Sequence, residues 1–438
     1  MDWLAATALL LGLLLGLMAL GLPVAFAFLG VNVVGAWLFL GGEPGLVQLA
    51  RNAMASLTSF TLAPIPLFIA MGEVLFHTGV ALRAIEAVDR LVTRVPGRLS
   101  VVSVLGGTLF SSLSGSTLAN TAVLGGVLLP EMLRRGYHPS IAMGPIMATG
   151  GIAMLIPPSA LAVLLGSLAG ISISRLLIAG ILPGLLMSVL FLAYVIGRCS
   201  LDPTIAPADS RPRERGWARW RPLLVHVVPL LGLFALVVGS ILAGWATPTE
   251  SAALGSVGAV IAAAAYRSLT LAALLKALRE TAKVSVMILF IIVASVSFAQ
   301  ILAFSGATDG LLRALTGFGL TATETVLLMV LVLLLLGAFM DQVSMVMITL
   351  PFFLPLAQAA GVDLLWLGVL MLIAMEISFT TPPFGLLLYV MKAVAPPQIG
   401  MRQVWAAALP FIGLELLVLA LLFAYPPLAL WLPSLVGR

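Results

Sequence analysis

The sequence predicts an all-α integral membrane protein of two inverted-topology repeats, each with about five transmembrane helices, one of them broken, and a re-entrant helical hairpin. Composition is the first ground. Hydrophobic residues make up 61% of the 438 and charged residues 9%, with a mean hydropathy of +1.19, whereas soluble domains carry about 25% charged residues. Repetition is the second. After a shift of 225 residues Pro23 falls on Pro248, Gly30 on Gly255, Pro130 on Pro355, Gly136 on Gly361 and Pro157-Pro158 on Pro382-Pro383. With a further drift of two, Gly79 meets Gly306, Arg175 meets Arg402 and Pro183 meets Pro410. Proline and glycine fix special backbone geometry, so their coincidence in order implies a duplicated fold. The third ground is residues 106–130, where an apolar run is cut by SSLSGSTLAN. Its arms, about ten residues each, are too short to span hydrocarbon, since a helix needs roughly 20. Polar, non-helical backbone at that depth survives only inside protein or against a watery cavity. Two short helices meeting at a Ser/Gly/Asn tip therefore predict a hairpin whose tip touches an ion or solute; a broken helix packed through small residues is the alternative.

In the first half, spans are expected near 4–21, 24–40 and 61–77, with a short amphipathic segment near 46–59 ahead of the third. A polar surface helix at 80–97 precedes the hairpin, placed at 99–131. A span from 139 is broken at Pro157-Pro158, and a last span lies near 176–197. Residues 199–221, rich in Pro and Arg, read as a linker, so the first repeat covers 1–198 and the second 222–438. The second repeat gives spans at 223–243 and 251–266, an arm near 270–282 and a span at 284–304. Its hairpin lies at 322–360, its broken span runs from 363 through Pro382-Pro383, and its last span is 403–424. An odd number of crossings per half makes the repeats inverted.

With the linker in the cytoplasm, 18 of the 22 Lys and Arg residues fall on that side, leaving Arg51, Arg175, Arg313 and Arg438 on the other. The positive-inside rule is met. Both termini are then outside, the first hairpin enters from the cytoplasm, and the second enters from the exterior. A β-barrel is excluded, because its strands alternate polar and apolar and these runs are continuously apolar. The net charge of +5 belongs to the loops and says nothing of nucleic acid. Cys199 stands alone and offers neither an internal disulfide nor a metal centre. Asp2 and the lack of a basic n-region mark the start as a first span rather than a secretory signal. No P-loop is present for a nucleotide, and the aromatic pairs near the second hairpin read as packing rather than a pocket for an organic cofactor.

The second hairpin breaks at LLGAFMDQVSMVMITLPFFLPLA, with Asp341, Gln342 and Ser344 in an otherwise apolar segment. A carboxylate at membrane depth is costly and marks an ion or solute path; capping a half-helix N-terminus is an equally good use of it. The broken spans form the other wall. TGGIAMLIPPS at 149–159 and EISFTTPPFG at 376–385 each carry tandem prolines that remove donors and free upstream carbonyls. Freed carbonyls beside Ser and Thr hydroxyls suit a hard cation such as sodium, and half-helix N-termini suit an anionic solute. Two related cation sites, one per repeat, are thus expected to flank a central solute site, whose contacts are assigned to Ser116, Asn120, Asp341 and Thr380. Glu73, Glu250, Glu376 and Glu415 lie in or beside spans as lower-ranked ligands, with interhelical hydrogen bonding the plainer account. His77, His138 and His226 lack metal spacing, and Trp217, Trp220 and Trp245 read as interfacial belt residues.

The runs SGSTLAN, IPPS, LIAGILPG, TPTESAALG, GAFMD with LPFFLPLA, and TTPPFG follow in this order along nearly the whole chain. Together they resemble the large membrane subunit of TRAP transporters, the tripartite ATP-independent periplasmic transporters of the dicarboxylate and sialic acid type. The resemblance implies an elevator-type secondary transporter of the bacterial inner membrane, driven by sodium ions, two or more, and taking up a small organic acid. It also implies a small four-helix membrane subunit (Q type) and a periplasmic substrate-binding protein (P type) as partners. Carried over by motif, one sodium site would use Ser111 and Ser114 with backbone at Ala153, Ile156 and Pro157. The other would use Gly337, Ser378 and Thr381 with backbone near Phe384. The chain departs from the pattern at Asn120, where some relatives carry Asp, and at Ala153, where glycine is frequent. Two other readings compete: a stand-alone divalent-anion/sodium symporter with the same hairpins, and an intramembrane enzyme with Ser116 as nucleophile. The enzyme lacks a Gly-x-Ser-x-Gly elbow and any His well inside a span to act as base.

Overall fold

The structure, a computed structural model, describes residues 2–207, 216–383 and 385–435, without the side chains of 112–114 and 316. Among the described residues the regular structure is helical throughout, with no strand, as continuous apolar runs without period-two alternation require. Six helical stretches are long and apolar enough to cross a membrane: Phe60–His77, Ile173–Leu201, Trp217–Leu242, Leu271–Phe304, Gln342–Ala359 and Met401–Ala424. Trp3–Ala19 and Val24–Phe39 are apolar and only slightly shorter.

The interrupted runs form two helical hairpins. The first is Arg98–Ser114 with Thr117–Arg134, the second Ala322–Gly337 with Gln342–Ala359. The tandem-proline runs break Pro139–Gly151 from Ala160–Ala169, and Leu364–Thr380 from Leu386–Val394. Landmarks matched along the sequence share local structure. Gly79 and Gly306 both adopt the left-handed region, at φ 71° and 74°, and each opens a surface helix, Val80–Leu91 and Ala307–Thr316. Pro130 and Pro355 each lie inside the second arm of a hairpin, and the Pro157-Pro158 and Pro382-Pro383 bonds are both cis. Polar caps start the apolar helices. Thr247 with Glu250, and Thr321 with Glu324, form reciprocal capping boxes in which each carboxylate accepts the threonine N–H at 2.8 Å.

Three stretches differ from the sequence expectation. The arm at 270–282 and the span at 284–304 are one continuous helix, Leu271–Phe304, of 34 residues. No Gly or Pro interrupts it, and its Lys, Arg and Glu residues are good helix formers. The last span of the first half continues to Leu201, and the chain beyond folds back, the His138 N–H donating to the Ile205 carbonyl at 2.8 Å. A terminal helix, Pro427–Ser434, packs on Ile173–Ala179 and Ile181–Leu201.

The helices pack in two groups. In one, Pro64–His77 lies between Pro248–Ala265 and Leu271–Phe304, and the latter also holds Val24–Phe39 and Glu43–Leu57. In the other, Pro139–Gly151 is held by both arms of the first hairpin and by Met401–Ala424, which also packs on Leu364–Thr380. Lipid supplies no hydrophobic drive between helices, so close approach at small residues and edge-on aromatic contacts carry this packing. A Cβ on Gly144 would lie 2.5 Å from the Ala407 carbonyl. Phe28 and Phe298 meet edge to face at 5.1 Å in the first group, and Phe191 and Phe411 at 5.4 Å in the second. The base of the first hairpin is anchored by buried Arg98, whose guanidinium donates to the Val92 carbonyl at 2.7 Å and to the Asp89 carboxylate at 2.8 Å.

Candidate functional site

The first hairpin turns at Gly115, φ 59°. The turn needs glycine twice over: an L side chain there is strained, and a Cβ would lie 2.7 Å from the Pro158 carbonyl. The tip is thus pressed onto the first helix break. Ser116 caps the second arm, its hydroxyl accepting the Ala119 N–H at 3.3 Å. Across the gap Ser159 caps Ala160–Ala169, accepting the Ala162 N–H at 3.1 Å and donating to the Met154 carbonyl at 2.7 Å.

Behind this tip lies a dry polar cluster. Ser111 Oγ donates to the Thr149 carbonyl at 2.6 Å. Asn120 Nδ2 donates to the same carbonyl at 3.0 Å, to the Gly107 carbonyl at 3.2 Å, and to Ser111 Oγ. Both side chains are buried, and Asn120 Oδ1 and Thr121 Oγ1 are buried without a hydrogen-bond partner among the described residues. Such oxygens are costly in a protein interior when left unpaired. Ala153, Ile156 and Pro157 are buried beside the break. The side chain of Ser114 lies outside the described residues.

The second hairpin docks on its own broken helix. A Cβ on Gly337 would fall 2.1 Å from Ser378 Cβ, so that position admits only glycine at this spacing. Ser378 Oγ donates to the Met375 carbonyl at 2.6 Å, and Gln342 Nε2 reaches that carbonyl at 3.3 Å and Ser378 Oγ at 3.4 Å. Thr381 Oγ1 donates to the Ile377 carbonyl at 2.7 Å, which leaves its lone pairs free. Phe384 lies outside the described residues. Asp341 caps Gln342–Ala359, one oxygen accepting the Ser344 N–H at 3.0 Å and the other the Ser344 hydroxyl.

Between the two groups of helices is a cavity of about 240 Å³. Phe68, Ile69 and Glu73 from Pro64–His77, with Val284, Met287 and Ile288 from Leu271–Phe304, form one wall. The facing wall holds Gly115 to Leu118, Ala153, Met154, Ser159 to Leu161, Gln342, Val343 and Phe379. Three helices, Thr117–Arg134, Ala160–Ala169 and Gln342–Ala359, therefore begin at this space, and helix N-termini present N–H groups and partial positive charge.

Of the residues assigned to solute, Ser116 lines the cavity, whereas Asn120 joins the buried Ser111 cluster. Thr380 is buried against Glu415, its hydroxyl 3.4 Å from Oε2. Asp341 adjoins the cavity through Gln342. The four lower-ranked carboxylates part ways. Glu250 caps a helix, Glu73 lies 3.2 Å from His77 Nε2, Glu415 takes the Thr380 hydroxyl, and both Glu376 oxygens are buried without a hydrogen bond among the described residues. Thr149 and Ser159 emerge only from the fold, which also gives Gln342, already marked in the sequence beside Asp341, its contacts to Met375 and Ser378. The only advance signal for Thr149 and Ser159 was their position within or beside the broken runs.

Paired hairpins and broken helices converging on a cavity define a multi-pass membrane transporter. A family model described as tripartite ATP-independent periplasmic transporter, DctM component, matches residues 11–428. The chain belongs to this family. It is 34% identical over 412 residues to the C4-dicarboxylate TRAP transporter large permease protein DctM of Pseudomonas aeruginosa, covering 93% of this chain and 94% of that one. It is 30% identical to the sialic acid TRAP transporter large permease protein SiaM of Vibrio cholerae, covering 96% and 97%. With the ectoine TRAP transporter large permease protein TeaC of Halomonas elongata it shares 29%, covering 99% and 100%. Among solved structures, its fold is similar to the Alcanivorax borkumensis YdaH transporter, at a TM-score of 0.59 and 17% identity, with 89% of each chain covered. The Neisseria gonorrhoeae efflux pump MtrF is also similar, at 0.56 and 15%, with 87% of this chain and 84% of that one covered.

Proposed function

We propose that this chain is the translocating subunit of a sodium-coupled importer of a small organic acid, a C4-dicarboxylate, sialic acid or related carboxylate. The cavity onto which three helix N-termini open carries the reading. Anionic groups are favoured at such termini, where N–H groups need acceptors, and a volume of about 240 Å³ suits a small solute. The hydroxyl of Ser116 and the amide of Gln342 orient the solute from the two hairpins. Sodium supplies positive charge behind each tip. Ser111, Ala153, Ile156 and Pro157, with Ser114, serve the first ion, and Gly337, Ser378 and Thr381, with Phe384, the second. The oxygen-rich donors of these clusters fit a hard cation.

In this reading the two repeats are inverted, the linker at 199–221 is cytoplasmic, and both termini face outward in the inner membrane. Pro64–His77 and Leu271–Phe304 belong to a stationary wall, against which both hairpins and both broken helices move as an elevator. A four-helix membrane subunit braces that wall, and a periplasmic binding protein delivers the solute. The outer face carries only Arg51, Arg175, Arg313 and Arg438 among its basic residues, so docking relies on shape and scattered polar contacts. Uptake into proteoliposomes is therefore expected to require the binding protein and the small subunit. Equal uptake of free solute by this chain alone would contradict the tripartite reading.

A further inference from the structure

Away from both hairpin tips, Glu376 on Leu364–Thr380 faces Glu415 on Met401–Ala424. Each is fully buried. Thr380, one helical turn beyond Glu376 and so on the same face, directs its hydroxyl to the Ile377 carbonyl at 3.1 Å and to Glu415 Oε2 at 3.4 Å. The other Glu415 oxygen and both Glu376 oxygens have no hydrogen-bond partner among the described residues, and no basic side chain there forms an ion pair with either carboxylate. Two adjacent carboxylates in the protein interior are costly as anions, so they are held either by protonation or by a bound cation. The fold makes room for them deliberately: a Cβ on Gly151 would lie 2.4 Å from Glu376 Cγ and 2.7 Å from Oε1. Glu376 thereby joins the second broken helix to the first, at points two residues ahead of Ser378 and Ala153.

We propose that Glu376, Glu415 and Thr380 form a third cation site, distinct from the two behind the hairpin tips, and that it takes sodium. The donors are carboxylate and hydroxyl oxygens only, which suits a hard ion. Four carboxylate oxygens and one hydroxyl are too few for calcium, which takes six to eight oxygens. An ion here would be held by residues of the second repeat alone, with Glu376 packed against Gly151 of the first broken helix. The site stands on its own geometry and does not depend on the hairpin-tip sites.

The test is equilibrium binding of radioactive sodium, with sodium chloride as the only ligand, to the purified full chain in nanodiscs. Wild type is expected to bind one more ion per chain than Glu415→Gln or Glu376→Gln, and Thr380→Val is expected to weaken that ion at least threefold. Equal and non-zero stoichiometry in wild type and both glutamine variants would overturn this site while leaving the hairpin-tip sites standing. No sodium binding by wild type would overturn both. Should the glutamine variants fail to fold, thallium-soaked crystals of the wild type decide the matter. Anomalous density between Glu376 and Glu415 supports the site, and density confined to the hairpin tips, or absent, rejects it.

Discussion

Thr381→Ala and Ser111→Ala are each expected to raise the sodium concentration for half-maximal uptake by about 5- to 150-fold, with normal expression. Losing one oxygen ligand costs about 1–3 kcal/mol. Thr381 already donates its proton to the Ile377 carbonyl at 2.7 Å, and Ser111 donates to Thr149 at 2.6 Å. The Thr381 oxygen keeps both lone pairs for a cation, and the Ser111 oxygen, which accepts from Asn120, keeps one. If these side chains served only to let helices approach, alanine would be tolerated, being small and an excellent helix former. Thr381→Ser keeps the oxygen and is expected to stay within about threefold of wild type. Unchanged sodium dependence in both alanine variants, measured in proteoliposomes at matched protein, would remove these residues from the ion sites.

Gly337→Ala is expected to cost transport about tenfold or more, through packing rather than lost ligands. Its Cβ would fall 2.1 Å from Ser378 Cβ and 3.2 Å from Ser378 Cα, so hairpin and broken helix must separate. Overpacking of this kind costs about 1–3 kcal/mol. The companion change Ser378→Gly relieves the overlap but removes the hydroxyl. The double variant is thus expected to regain thermal stability in detergent while retaining a weakened response to sodium. Recovery of both together would mean that Ser378 acts by packing alone. Failure to recover stability would mean that the Gly337 contact is not the seat of the defect.

Much of the fold is legible in the sequence because its signals are local. The Ser/Gly run around Gly115, the tandem prolines, and the Gly79 and Gly306 pair each dictate backbone geometry where they stand, with Gly115 at φ 59° and the pair at 71° and 74°. The charges between Lys276 and Lys283 mislead for a related reason. They look like a boundary between arm and span, yet nothing in Leu271–Phe304 breaks a helix, so it continues. The sites are less legible, because their contacts are long-range. Asn120 looks like a tip residue in sequence, but the arm turns it inward onto Ser111 and the Thr149 carbonyl. Gln342 meets Ser378 across 36 positions, and Glu376 meets Glu415 only because Met401–Ala424 packs on Leu364–Thr380. A pattern of periods and caps carries no information about such meetings.

The central claim is that an ion gradient, not ATP, drives uptake. Each sodium ion entering gains about 2.3 kcal/mol per 100 mV, so two supply about 4.6 kcal/mol. For a neutral solute this exceeds three decades of accumulation at about 1.4 kcal/mol per decade. Each negative charge on the solute removes about 2.3 kcal/mol of it, leaving the sodium concentration gradient to supply the rest. The direct measurement is accumulation of labelled solute by proteoliposomes holding this chain with its small subunit and binding protein, under an inward sodium gradient and without nucleotide. Accumulation that collapses when external sodium is replaced by choline, and that is indifferent to added ATP, is the predicted result. Accumulation that survives full replacement by choline and depends on ATP would contradict the account.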